Sequence, residues 1–399
     1  MAIIAISLLL VAILGVLARP FRIPQWILPA VCALIAIGTN VSSISAARNA
    51  LGTLSAPIGF LLAAVPLAIA LDRLGFFTEL ADRLIATGRA SGSLWILAAL
   101  VTTVLNLDAS VVLLTPLYIQ IARQTGRHPF TLAAQPVLLA CLASSALPVS
   151  NLTNLIAAAD TGADTVGFVT NLALPSLVAT TVGWWLYRRV LTPDAIVSPP
   201  TQLRHRRPSH PNALRIGGMV IAGVLIGFVA GPAIGIEPWI VALAADIALI
   251  AVLRRAPWHD IPVGTAVIAA SLGVLAAASA AHLPIDHLIT GTSTLSLGRT
   301  IGVTGIGANL INNLPALLVA LPTINHTVTP QLWAILIGVN MGPVILATGS
   351  LASLLWLDAL NRLDVTVRPR DFTRIGIRVG LPAAAAGAAT FLLIEAITR

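Results

Sequence analysis

The sequence predicts an all-α polytopic membrane protein made of two inverted repeats, each with five transmembrane helices and one re-entrant hairpin. Three observations lead there. The 399 residues are 57% hydrophobic and only 10% charged, with a mean hydropathy of +0.94, whereas a soluble domain carries about 25% charged residues. Apolar runs of spanning length follow one another along the chain. The two halves of the chain also resemble each other, motif by motif and in the same order.

A spanning helix needs about 20 mostly apolar residues. Runs of this kind lie at 2–18, 25–40, 53–72, 132–158 and 166–188, and again at 213–231, 237–253, 262–281, 331–360 and 371–395. The first has no basic residue ahead of it and leads into further spans, so it reads as a true helix rather than a cleaved signal. Two more apolar pieces, 93–122 and 296–324, are interrupted by polar clusters at 105–110 and 309–313. Each is too long for one helix and too short for two full spans. Re-entrant hairpins fit, because non-helical backbone at membrane depth survives only when buried in protein or lining a cavity.

The Pro- and Ser-rich, basic stretch 191–212 reads as a linker between a first repeat, 1–190, and a second, 213–399. Within the repeats, "PQWILPAVCAL" from Pro24 matches "EPWIVALAADI" from Glu237. "PIGFLLAAVPLAIAL" from Pro57 matches "PVGTAVIAASLGVLA" from Pro262, 205 residues further on, and the same offset pairs Asp108 with Asn313. "SNLTNLI" from Ser150 matches "GSLASLL" from Gly349, offset by 199. An odd number of spans per repeat turns the second repeat over, an arrangement common in secondary transporters.

Arginine placement supports the topology. The chain has no lysine, so its 23 basic residues are all arginine. With the linker in the cytoplasm, every arginine except Arg48, Arg299 and Arg399 falls on the cytoplasmic side, as the positive-inside rule asks. The expected location is therefore the cell (inner) membrane, with both termini periplasmic or extracellular. The hairpin 93–122 then enters from the cytoplasm and the hairpin 296–324 from outside. The net charge of +8 resides in short loops between apolar runs, which speaks for a lipid bilayer and against nucleic acid as partner. Cys32 and Cys141 lie inside apolar runs, and no histidine has metal-ligand spacing, so neither a disulfide nor a metal is expected.

Four polar clusters interrupt apolar sequence. The first hairpin tip carries Asn106, Asp108 and Ser110. The broken helix 132–158 carries Pro148, Ser150, Asn151, Thr153 and Asn154. The second hairpin tip carries Asn309, Asn312, Asn313 and Pro315. The broken helix 331–360 carries Asn340, Gly342, Pro343, Thr348, Gly349 and Ser350. Pro and Gly interrupt helices, which frees backbone carbonyls and exposes half-helix N-termini. Asn, Ser and Thr then satisfy those groups or face a ligand. Four such breaks meeting near the bilayer midplane would make one substrate site from Asn106, Asp108, Ser110, Ser150, Asn151, Asn154, Asn309, Asn312, Asn313, Asn340, Thr348, Gly349 and Ser350. Asp108 is the one carboxylate among them. A charged Asp at a helix centre costs about 2.5–3.5 kcal/mol on insertion scales, so it is the residue expected to carry a coupling proton or cation. The bland alternative is a cap on the hairpin's half-helix. Asp246 also falls in an apolar run, where a structural, protein-facing role is expected.

The motifs resemble those of the ion transporter superfamily, and within it the ArsB-type arsenite/antimonite efflux permeases. "MGP" at 341–343 with "GSLASLLWLDAL" from Gly349 is similar to the family's Leu-Gly-Pro followed by Gly-Ser-Leu-Ala-Thr-Leu-Leu-Trp-Leu. "VSNLTNLI" from Val149, "INNLPALLV" from Ile311 and "DASVVLLTP" from Asp108 have counterparts there as well. The chain departs from the pattern at Leu107, where the family usually has Asn, at Asn340, where it has Asp, and at Val344, where it has Lys. The resemblance implies efflux of trivalent arsenic and antimony hydroxides by proton antiport, an elevator-like motion of the hairpin domain, and a homodimer.

No Gly-Lys-Ser/Thr phosphate loop can exist in a chain without lysine, so an ion gradient or the substrate's own gradient supplies the energy, with no cofactor. Three transport functions stay open on the residues. Metalloid efflux suits a site of neutral hydrogen-bonding groups without arginine. Sodium-coupled uptake of a carboxylate or other anion would lean on half-helix N-termini and bound Na⁺. Sodium/proton antiport would rest on Asp108. An enzyme is not expected, since no acid/base pair or nucleophile constellation is present.

Overall fold

In the computed structural model, residues 2–18, 23–86, 90–192, 195, 211–231, 234–255, 261–280, 282 and 285–398 are described. The described residues form helices and connecting turns, with no strand. Most of the linker expected over 191–212 lies outside them.

The chain opens with α1 (Ala2–Ala18), α2 (Ile27–Gly38) and the long α3 (Ile44–Leu74), followed by a short amphipathic α4 (Phe76–Ala86). The pair α5 (Ala90–Val104) and α6 (Leu107–Thr125) is joined through Leu105 and Asn106 and packs on itself as a hairpin. α7 (Pro129–Leu142) and α8 (Leu152–Thr161) are two halves of an interrupted helix, with a single 3-10 turn at Pro148–Ser150 between them. α9 (Thr165–Phe168) runs through one π-turn, Val169–Ala173, into α10 (Leu174–Leu191).

The same order of elements then returns. It comprises α11 (Ala213–Ala230), α12 (Pro238–Leu253), α13 (Val263–Ala280) and the one-turn α14 (Asp286–Ile289). Next come the hairpin of α15 (Thr294–Ile311) with α16 (Asn313–Ala320), and the interrupted pair α17 (Pro330–Met341) and α18 (Leu351–Arg362). Last, α19 (Pro369–Ile375) passes through a π-turn, Gly376–Gly380, into α20 (Leu381–Ile397). Both π-turns sit 207 residues apart and are followed two residues later by a proline, Pro175 and Pro382. A proline lacks the N–H of the i→i−4 ladder and its ring clashes with the preceding turn, which gives both helices the same cause for widening.

The sequence suggests ten full spans, two of them, 132–158 and 331–360, broken; the structure shows fewer continuous long helices than that. Among the described residues, four helices are long and apolar enough to cross a membrane by themselves: Ile44–Leu74, Thr165–Leu191, Ala213–Ala230 and Arg370–Ile397. The others are shorter because helices such as α7 and α17 stop where Asn, Gly and Pro interrupt the apolar run. At 1.5 Å per residue, the 14 residues of α7 reach only about 21 Å, so that crossing is completed by α8. α3 goes the other way. Its 31 residues extend about 46 Å, beyond a hydrocarbon core of about 30 Å, and start nine residues before the expected span because Ser43 caps it by accepting from the Ala46 N–H at 3.1 Å. Pro57 and Pro66 lie inside α3 without ending it. It stops at Gly75, whose φ of +87° is the left-handed C-cap that glycine adopts without a side-chain clash.

α3 packs against α12, α13 and α8, while α2 and α1 pack on α13. A second group holds the hairpins and interrupted helices: α6 on α7 and α18, α15 on α17, and α10 on α20. α15 and α17 cross at backbone distance. A methyl placed on Gly342 would collide with the backbone of Gly305, and one on Gly338 with the Ile301 carbonyl and the Thr304 side chain. Small residues let membrane helices approach this closely. Gly342→Val should therefore lower the apparent unfolding temperature in detergent by several degrees, since overpacking costs roughly 1–3 kcal/mol. Gly302→Ala, on the open face of α15, should leave it unchanged or slightly raised. Both free cysteines, Cys32 and Cys141, are buried, so unfolding can be followed with a thiol-reactive dye.

Candidate functional site

Four helices begin inside the protein, and each first turn is closed by the side chain of its own cap. Asn106 Oδ1 accepts from the Asp108 N–H (2.8 Å) at the start of α6. Asn151 Oδ1 accepts from the Thr153 N–H (3.2 Å) at α8, Asn312 Oδ1 from the Leu314 N–H (3.3 Å) at α16, and Ser350 Oγ from the Ala352 N–H (3.2 Å) at α18. All four caps are buried. A helix start leaves up to four N–H groups without partners, and in an apolar interior each unsatisfied group is costly. The cap meets one such need and leaves the others as a region of positive potential.

At the hairpins the capping geometry pairs the two halves one position differently from sequence likeness. Asn106 and Asn312 play the same part 206 residues apart, which aligns Leu107 with Asn313 and Asp108 with Leu314. Sequence likeness aligns Asp108 with Asn313 instead, one position off, because both are polar. At the interrupted helices the offset of 199 holds, matching Asn151 with Ser350. Asn312 reaches its capping position with φ +78° and ψ 152°, a conformation nearly confined to glycine that costs about 1–3 kcal/mol.

Most remaining polar groups fasten the breaks. Asn340, near the end of α17, is the hub. Its Oδ1 accepts from Asn151 Nδ2 (2.9 Å) and Thr153 Oγ1 (2.6 Å), and its Nδ2 donates to Asn154 Oδ1 (2.6 Å) and Ser145 Oγ (3.4 Å). Asn154 Nδ2 in turn donates to the carbonyls of Ser144 (2.8 Å) and Leu147 (2.9 Å). Ser150 Oγ lies 2.6 and 2.9 Å from the Leu147 and Ser144 carbonyls and accepts from the Leu147 N–H (3.3 Å). In the second half, Asn309 Nδ2 donates to the Gly342 carbonyl (2.7 Å) while its Oδ1 accepts from the Leu346 N–H (3.0 Å). The first half does the same with Thr103, whose hydroxyl lies 3.0 Å from the Ala143 carbonyl. In both halves the entering arm of the hairpin thus holds the freed carbonyl at the end of its interrupted helix. Asn312 Nδ2 adds a bond to the Thr348 carbonyl (3.1 Å).

Asn151, Asn154, Asn309, Asn340 and Ser150 are thereby committed to protein partners. Ser110 accepts from Thr102 Oγ1 (2.9 Å), and buried Gly349 lets the chain approach Pro343 and the Ala308 carbonyl more closely than a side chain would allow. What stays open is narrower. Asn106 Nδ2 and Asp108 Oδ1 are buried without a hydrogen-bond partner. Asn313 and Thr348 use no side-chain bond to the described residues either. α6 packs on α18, and Leu107, Val111, Ala140 and Ala352 share one apolar cluster, so the α6 start lies beside the α18 start. α16 packs on α8 in the corresponding way.

Sequence reasoning missed Ser144 and Ser353, both buried with an unpartnered hydroxyl, and the anchoring roles of Thr103 and Ser145. The pair Ser144–Ser145 just ahead of the Pro148 break was the available signal. Asp246 faces α3 on a buried stripe with Ala242 and Leu249, one oxygen without a partner, away from the four helix starts. Among the described residues no three His, Cys, Asp or Glu side chains gather in a way that could hold a metal ion.

Residues 1–349 match the citrate transporter family, CitMHS. The chain belongs to this family. It is a membrane transporter and not an enzyme. Relatives include the arsenical pump membrane proteins of Escherichia coli K12, 27% identical over 80% of this chain and 82% of that one, and of Yersinia enterocolitica, 26% identical over 80% and 82%. Among solved structures, the Alcanivorax borkumensis YdaH transporter superposes with a TM-score of 0.57 at 17% identity, covering 88% of each chain, a likeness of fold.

Removing the hub should unfasten the breaks. Asn340→Ala leaves the polar ends of Asn151, Thr153 and Asn154 buried without their shared partner, at about 1–3 kcal/mol each, and should markedly lower the unfolding temperature read by cysteine exposure. Asp108→Asn removes no protein partner of the side chain and should leave it nearly unchanged.

Proposed function

We propose that this transporter exports arsenite and antimonite as their neutral trihydroxides in exchange for protons. The observation that carries the reading is the pairing of an unpartnered donor, Asn106 Nδ2, with an unpartnered acceptor, Asp108 Oδ1, at a buried helix start, in a site whose four polar clusters contain no arginine. A trihydroxide both donates and accepts hydrogen bonds and brings no charge to be neutralised. Buried polar groups without partners are costly, and such a ligand supplies partners to both at once. The substrate contacts proposed are Asn106, Asp108, Asn313 and Thr348, with the remaining polar residues of the four segments keeping the breaks in shape. The names of the arsenical pump relatives point the same way. The family's description favours a citrate-like substrate, but a tricarboxylate would have to rely on helix N-termini and bound cations, without a cationic side chain.

Coupling follows from the single carboxylate. Ionised Asp108 accepts a hydrogen bond from a substrate hydroxyl. Once protonated it loses most of that attraction, so proton and substrate compete for one oxygen pair. Exchange then follows if the loaded or the protonated form, but not the empty ionised form, moves. The recurring element order and the two hairpins support an inverted-repeat elevator, with the hairpins and interrupted helices moving against α3 and its partners in the inner membrane, and the linker on the cytoplasmic side.

Expression in an arsenite-sensitive bacterium should raise tolerance to arsenite and antimonite. Everted vesicles should accumulate arsenite when acidified inside, and Asp108→Asn should abolish the pH-driven accumulation. Absence of tolerance together with sodium-dependent uptake of labelled citrate would sink the metalloid reading and favour the carboxylate one.

A further inference from the structure

A cavity of about 450 Å³ lies between α3, the turn at 147–149 leading into α8, α8 itself, α11 and the start of α12, and none of Asn106, Asp108, Asn313 and Thr348 lines it. Its body is apolar and aromatic: Phe60 and Phe228 meet edge to face at 5.8 Å, and Leu155 and Trp239 complete the wall. The volume falls in the range of pockets that enclose a small organic ligand, about 300–1,000 Å³. Two charged residues line it among the described residues, and both are acidic. Asp164 and Glu237 are exposed, placing their carboxylates at its wet end. Each is held in position: Glu237 accepts from Trp239 Nε1 at 2.8 Å, and Asp164 caps α9 by accepting from the Gly167 N–H at 2.8 Å. In a chain of net charge +8, a cavity whose charged lining is wholly acidic selects against anions and against the phosphate heads of ordinary anionic lipids.

We infer that this cavity is a second ligand site, distinct from the transport site, for a lipophilic organic cation. The cation's apolar body fills the space among Phe60, Phe228 and Trp239, whose ring faces attract positive charge, and the cationic centre stays near Asp164 and Glu237. Binding does not depend on what the protein transports. Where the transport reading above holds, the occupant would bridge α3 and α8, the two sides set in relative motion.

The test uses labelled tetraphenylphosphonium and the full chain purified in detergent. Saturable binding of about one cation per chain is expected. Neutral triphenylphosphine oxide should fail to displace it at concentrations where unlabelled tetraphenylphosphonium succeeds. Glu237→Gln combined with Asp164→Ser, which keeps a capping hydroxyl, should weaken binding about three- to tenfold. Ala159→Phe, at an exposed position of the lining, should block it while elution on size exclusion stays that of the unaltered protein. No saturable binding, undiminished binding in both variants, or equal displacement by the oxide would overturn the inference. The last result would mark the cavity as a seat for neutral hydrocarbon such as a lipid tail.

Discussion

A helix opened inside an apolar slab must have its freed backbone groups satisfied by the protein itself, and the rest of this structure depends on that constraint. No water is at hand to take an orphan N–H or carbonyl, each of which would cost several kcal/mol. The chain meets the constraint four times with the same device, a buried Asn or Ser whose side chain folds back on the N–H two residues ahead. The carbonyl ends are met separately, by Thr103 on Ala143 in one half and by Asn309 on Gly342 in the other. The breaks are therefore rigid, pre-formed features, and a ligand that binds there need not provide the energy to make them.

The division of labour among the polar residues follows from the same accounting. Asn340 spends both ends of its amide on four groups of the first half, tying α17 to the break between α7 and α8. An aspartate at 340 would keep the acceptor facing Asn151 and Thr153 but set an oxygen against the Asn154 oxygen. Asn154 could not turn its amide round without abandoning the Ser144 and Leu147 carbonyls. Within this chain, asparagine is thus the residue that its neighbours require. Asp108 differs because it lies one residue past Leu107, on a turn whose cap is already supplied by Asn106. Its carboxyl has no role in closing the helix start, and the capping alternative considered for it from sequence belongs to Asn106.

Much of this was legible in the residues. Asn, Ser, Gly and Pro within apolar runs stand out because insertion into a membrane penalises them, and the helices do stop at those clusters. The all-helical, membrane-embedded character followed from composition. Other parts were hidden. Pro57 and Pro66 look like breaks yet sit inside continuous α3, since packed neighbours can accommodate an interrupted ladder. α4 carries charges at Glu79, Asp82 and Arg83, which removes it from any search for spans. The pairing of the hairpins by capping differs by one position from that by sequence because likeness of residue type says nothing about which side chain caps. Which amides are spent and which are open was likewise unreadable, because it depends on partners as distant as Asn340 is from Asn151.

In the proposed exchange one carboxylate, Asp108, holds either a proton or the substrate, never both. Proton release on ligand binding tests it most directly. Arsenite is added to the purified protein in weakly buffered detergent solution, at a pH where Asp108 is partly protonated, and the pH change is recorded alongside binding. Arsenite binding should release protons, and the release should be lost in Asp108→Asn. Arsenite binding without proton release at any pH, or the same release from Asp108→Asn, would contradict the proposed exchange.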